Sequence, residues 1–177
     1  MANASRSQIK KLTVSAMLCA LGVIVLALGA VIEVIDLSVA VIASLLCVYA
    51  VIEIGGAYPW LVWLVTSILS FLLIPIKTPV LFYAFFAGFY PILKEKIERL
   101  PRLPSWGGKL VVFHLCLGAI YLIMHLFLPA LLEGTEVWFM LLGLYALSLV
   151  CFVLYDIALT RLITFYLIRL RQRFHLR

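Results

Sequence analysis

The sequence predicts an all-α, polytopic membrane protein: a single integral membrane domain, residues 1–177, folded as a six-transmembrane-helix bundle with cytoplasmic N- and C-termini. Three observations predict it. The chain is 66% hydrophobic and 12% charged, whereas a soluble domain carries roughly 25% charged residues to cover its surface. The apolar residues fall into six blocks of 14 to 23 residues, lengths suited to a hydrocarbon core about 30 Å thick. Threading those blocks through a bilayer sorts nearly all basic residues to one side, the pattern of the positive-inside rule.

The first predicted span is 12–32, preceded by Arg6, Lys10 and Lys11 and ended by Glu33 and Asp36. It is too long for the apolar region of a signal peptide, about 7–15 residues, and Ala27-Leu28-Gly29 makes a poor cleavage site. The second, 37–54, closes at Gly55-Gly56, a pair that favours a tight turn. The third, 58–74, opens with Pro59 in its first turn, where a missing N–H costs little. It stops before Pro75 and Pro79, neither of which can continue a helix. The fourth, 80–93, is short and contains Gly88 and Pro91. At about 1.5 Å per residue it rises only ~21 Å. The fifth and sixth are 110–132 and 137–159, and a helical tail continues through 160–177.

The polar passage from Leu93 to Lys109 decides the topology. With 94–109 as a cytoplasmic loop, the inner side receives Arg6, Lys10, Lys11, Lys94, Lys96, Arg99, Arg102, Lys109, Arg161, Arg169, Arg171, Arg173 and Arg177. That leaves Lys77 as the one outer cation of the 14, among the outer acids Glu33, Asp36, Glu133 and Glu136. If the fourth segment failed to span, this asymmetry would collapse. It is therefore expected to cross, helped by local thinning of the bilayer and by snorkelling of Lys94.

Several function classes recede. The net charge of +6 sits at the ends of apolar segments rather than among exposed aromatics, so no nucleic-acid partner is expected. Cys19, Cys47, Cys116 and Cys151 lie inside apolar segments without CxxC or CxxH spacing, which points to neither a disulfide framework nor a zinc site. The expectation is no metal and no cofactor. There is no P-loop, HExxH or GxSxG, and no nucleophile with a placed base, so no catalytic residue is assigned and the chain is not expected to be an enzyme. Without an internal repeat, the inverted-repeat type of secondary transporter is disfavoured.

Ionisable residues within spans are functional candidates because an uncompensated charge there is expensive. Glu53, at the inner end of the second span, and Asp156, near the inner end of the sixth with Arg161 five residues on, are expected to be interfacial or structural partners. His114 and His125 are eleven apart, within about 20° on one helix face, and Gly118 and Tyr121 share it. That polar stripe is expected to face the bundle interior, either lining a ligand cavity or making interhelical hydrogen bonds. The aromatics of the fourth span, Phe82, Tyr83, Phe85, Phe86, Phe89 and Tyr90, suit core packing or the apolar wall of a pocket. Ala16 and Ala20 have the small-xxx-small spacing that lets membrane helices approach closely.

These features together resemble the substrate-binding S components of energy-coupling factor vitamin transporters: six short helices in under 180 residues, both ends inside, with Ala16 and Ala20 early in the first helix. The likeness is nearest to an S-component-like group of Gram-positive, clostridial-type bacteria. It is carried by Gly88-Phe89-Tyr90-Pro91-Ile92-Leu93-Lys94, Val51-Ile52-Glu53 and Leu154-Tyr155-Asp156-Ile157-Ala158-Leu159-Thr160-Arg161. The resemblance implies a small-molecule ligand captured near the outer face, and docking through Ala16 and Ala20 on a transmembrane coupling subunit served by ATPase subunits. The loop after the third helix in that group usually reads Pro-Asp-Lys-Glu. Here Pro75-Ile76-Lys77-Thr78 keeps the proline and the lysine but loses both acids. No residue pattern singles out a vitamin.

Two readings follow. In the first the chain captures substrate for a multi-subunit importer of the cell membrane, at a site formed by Glu33, Asp36, Lys77, Tyr121, His125, Glu133 and Glu136, a mostly apolar pocket with a few orienting polar groups. In the second it is a non-transporting scaffold or interaction subunit of an envelope-assembly complex, with the emphasis on its basic inner face. That face also attracts anionic lipid of the bilayer.

Overall fold

A computed structural model describes residues 2–31, 35–127 and 135–170. Among them the chain is helical, without a strand: α1 (Ala2–Val31), α2 (Asp36–Tyr49), α3 (Tyr58–Leu73), α4 (Thr78–Phe82), α5 (Tyr90–Ile97), α6 (Arg102–Phe127) and α7 (Thr135–Phe165). Three wider, π-helical turns extend α2, α4 and α7, over Ala50–Ile54, Tyr83–Ala87 and Tyr166–Leu170. Four stretches are long and apolar enough to cross a membrane: Gln8–Val31, Asp36–Ile54, Pro104–Leu122 and Phe139–Ile168. Helix α3 is equally apolar but shorter, 16 residues.

The chain forms two compact units, residues 1–109 and 110–177. The first is organised around α1, whose buried face is Ser15, Cys19, Gly22, Leu26, Gly29 and Ala30. Glycine at two of these positions is what allows the close approach. A Cβ on Gly22 would lie 2.9 Å from Cγ2 of Thr66 in α3, and one on Gly29 would lie 2.9 Å from Cβ of Val39 in α2. Gly22 also faces Leu46 while Gly29 faces Val39, so α1 and α2 run antiparallel. Cys19 meets Val62 and Gly22 meets Thr66, so α1 and α3 run parallel. Helix α2 returns small residues to the seam, Ala40, Ala43, Ser44 and Cys47, all fully buried. Without a water-driven hydrophobic effect between helices in lipid, such close backbone packing is the main source of association.

Turns follow their residues. Gly55 and Gly56 both have φ of 65°, a left-handed conformation that costs glycine nothing. Helix α3 ends where Ile74 turns extended, φ −94° and ψ 124°, as the residue before a proline prefers.

The fourth segment differs from the single helix expected over 80–93. Helix α4 and its π turn end at Ala87, Gly88-Phe89 turn, and α5 restarts at Tyr90 with Pro91 in its first turn. The restart is natural, because proline there forfeits no helical hydrogen bond. Gly88 is required at the break: an added Cβ would lie 2.6 Å from Cδ1 of Trp63 and 2.9 Å from the carbonyl oxygen of Tyr83. The passage expected as a loop over 94–109 is also mostly helical. Helix α5 runs to Ile97, residues 98–101 turn, and α6 begins at Arg102. Pro104 lies within the first turn of α6, again a tolerated position, and Gly108 rests against Ile97 of α5, 3.2 Å from where its Cβ would be.

In the second unit α6 and α7 meet through Phe113 and Phe152, whose rings stack at 4.8 Å. Such a pair contributes about 0.5–1.5 kcal/mol beyond the area it buries. Helix α7 passes Leu159 without interruption, so the sixth segment continues as a helix, as its sequence suggests.

Candidate functional site

The end of the first unit that carries the α1–α2 and α3–α4 connections holds Asp36 and Lys77. Lys77 closes α3. Its Nζ donates to the carbonyl oxygens of Phe71 at 2.5 Å and Ile74 at 2.6 Å, and it sits 4.8 Å from the Phe71 ring centroid. A cation over the last carbonyls of a helix meets both their unsatisfied lone pairs and the negative end of the dipole. Asp36 is the first residue of α2, where that helix's dipole favours a carboxylate. Its Oδ1 is buried without a hydrogen-bond partner among the described residues. So are the hydroxyls of Thr66 and Ser70, one turn apart on the buried face of α3. A buried polar atom left without a partner costs about 1–3 kcal/mol.

Between the ends runs a polar seam. The Cys47 thiol and the Tyr83 hydroxyl are 3.0 Å apart, the Cys19 thiol points at the carbonyl of Val62 at 3.7 Å, and Trp63 donates its indole N–H to Ala84 at 3.0 Å. The π turn at Tyr83–Ala87 brings Tyr83 into this seam, where it is buried. Among the described residues no three His, Cys, Asp or Glu side chains converge as metal ligands.

The other end of the first unit carries a second cluster. The carboxylate of Glu98 receives two ammoniums, Lys94 at 3.1 Å and Lys109 at 2.8 Å, whose side chains are only 1% and 6% exposed. Glu95 pairs with Arg99. Lys96 stands over the ring of Trp60 at 5.5 Å and Lys109 over Trp106 at 5.3 Å.

The remaining candidates divide. Ala16 and Ala20 are exposed, on a face of α1 separate from the buried one. Glu53 is exposed in the π turn that ends α2, Asp156 is buried, and Arg161 is exposed. His114 lies on an exposed part of α6: its Nε2 is 2.9 Å from the hydroxyl of Tyr145 in α7 and its Nδ1 is 2.8 Å from the carbonyl of Leu110. Tyr121 is 48% exposed, and Gly118 has nothing within 4 Å of its Cβ position. The described part of the stripe expected to turn inward is therefore open, with His114 supported by a neighbouring helix. Glu33 and Glu133 lie outside the described residues. His125 and Glu136 belong to α6 and α7, but their side chains lie outside the described set.

Sequence reasoning treated Lys94, Glu98 and Lys109 only as topology signals. The four-residue step from Lys94 to Glu98 was the available clue, since it places them on one helix face. Thr66 and Ser70 offered a similar one, two hydroxyls one turn apart in an otherwise apolar helix. No family model matches the chain, and no curated protein or solved structure matches it.

Proposed function

We propose that the chain is the membrane-embedded substrate-capture subunit of a multi-subunit small-molecule importer in the cell membrane, spanning it six times with both termini inside. The observation that supports this most is the division of labour on α1. Its interior contacts use Ser15, Cys19, Gly22, Leu26 and Gly29, which leaves the Ala16–Ala20 edge exposed and suited to close packing against another protein's membrane helix. Asp36 supports a ligand site near the outer face, because its buried oxygen has an acceptor to offer. Lys77 is already engaged with α3, so in this reading it shapes the site rather than binding the ligand. ATP hydrolysis would be the work of partner subunits.

Purification in a mild detergent tests this. Coupling and ATPase subunits should copurify with the wild-type chain and be lost from the Ala16→Leu, Ala20→Leu double variant, which adds bulk only on an exposed edge. Mass spectrometry of the purified chain should find a retained small molecule, and Asp36→Asn should reduce it. Association that survives the double substitution counts against docking through this edge. Copurification of an envelope protein in place of ATPases would favour the scaffold reading.

A further inference from the structure

We infer that the turn between α5 and α6 is a binding site for the phosphate of an anionic phospholipid, organised by Lys96 on Trp60 and by Arg99. The inference starts from charge. The antiparallel α1–α2 pair and the parallel α1–α3 pair bring the start of α1, the end of α2 and the start of α3 to one end of the first unit. Lys96 over Trp60 places the end of α5 there as well. This end gathers Arg6, Lys10, Lys11, Lys94, Lys96, Arg99, Arg102 and Lys109 against Glu53, Glu95 and Glu98.

The local pairing then shows where the excess lies. Glu98 is shared by two lysines, and Glu95 is taken by Arg99. Lys96 is met by the face of an indole. The α5–α6 turn thus carries more cation than its own carboxylates match, and the pattern calls for an external anion.

The surroundings select a lipid as its source. Two tryptophans flank the turn, and Trp106 is 46% exposed. Indole rings favour the headgroup depth of a bilayer, where one edge is apolar and the other wet. Just beyond lie helices apolar enough to cross the membrane. An anion reaching Lys96 at this depth is a phosphodiester whose acyl chains lie along the helices. The exposed Lys96 and Arg99 (76% exposed) can point at its oxygens without disturbing the buried Lys94–Glu98–Lys109 group.

The test uses the full-length protein in mild detergent, with dioleoylphosphatidylglycerol, dioleoylphosphatidylcholine or sodium phosphate added. Native mass spectrometry should show a one-to-one phosphatidylglycerol adduct that phosphatidylcholine does not match and excess sodium phosphate does not displace. Lys96→Gln should lower its retention about fivefold, the effect of one cation near a lipid surface, and Arg99→Gln should lower it further. Lys10→Gln with Lys11→Gln, which removes two exposed cations from the same end, should leave retention unchanged. Equal retention of the two lipids, displacement by free phosphate, no loss with Lys96→Gln, or equal loss with the Lys10/Lys11 variant would each overturn the inference.

Discussion

Replacing Glu98 by glutamine should destabilise the first unit more than any other single change of similar size. The substitution keeps shape and removes only the charge that Lys94 and Lys109 share at 3.1 and 2.8 Å. Breaking a fully buried ion pair by neutralising one member costs about 3–5 kcal/mol. The Glu98 side chain is 37% exposed, and water reaching it screens part of the interaction, which lowers the expectation to about 2–3 kcal/mol. For a chain of this size each kcal/mol moves the unfolding midpoint by about 2–4 °C, so the melting temperature should fall by about 5–10 °C. Thermal unfolding in detergent can be followed with a thiol-reactive dye, because Cys19 and Cys47 are buried while Cys151 is exposed and supplies a constant background. Lys109→Met added to Glu98→Gln should recover part of the loss, since it removes one of the stranded ammoniums. A Glu98→Gln protein that melts within 1 °C of wild type, or a double variant less stable than the single, would refute the reasoning.

Three further outcomes are expected. Gly88→Ala should cost about 1–3 kcal/mol by overpacking, because its Cβ meets the backbone of Tyr83 as well as Trp63. Gly118→Ala, with open space around it, should be stable by the same melting assay. Lys77→Met should lose about 1 kcal/mol of stability by uncapping α3 while leaving retention of any bound small molecule within about twofold. For topology, Gly107→Cys is the position to label, since Gly107 is exposed with nothing within 4 Å whereas Ser105 is buried. It should react with an impermeant maleimide in opened cells and resist it in intact ones. Ready labelling in intact cells would contradict the proposed six-span arrangement.

The helices were legible in the sequence where a single physical signal dominated. Gly55-Gly56 followed by Pro59 marked the turn into α3 because left-handed backbone and a donor-free first turn each demand those residues. The 94–109 passage was misjudged because its prolines, glycines and charges all read as loop. Pro104 sits where a helix tolerates it, and Gly108 is held by Ile97, a neighbour across the turn that local composition does not reveal. The candidate site was legible in kind but not in partnership. Asp36 and Lys77 were recognisable as polar groups near one another in sequence, yet only the path of α3 determines that Lys77 reaches back to Phe71 and Ile74. The link between His114 and Tyr145 spans 31 residues, and no periodicity announces it. The docking edge was the reverse case: the spacing of Ala16 and Ala20 was plain, and what the packing adds is that α1's neighbours use its other face.

The π turn at Tyr83–Ala87 also has a consequence for how this chain can change length. The N–H of Gly88 bonds to the carbonyl of Tyr83 at 2.7 Å, five residues back rather than four, so the turn holds one residue more than an α-helix would. Removing a residue there would let the backbone close with ordinary α-helical bonds, so deletion would cause little local damage. The damage would appear downstream, where every side chain would be turned by about 100°. Tyr90 and Lys94 would leave the interior and exposed positions would enter it. A one-residue deletion at Phe85 is therefore a lesion of orientation, not of helix formation, and a compensating insertion after Gly88 should restore the original facing of α5.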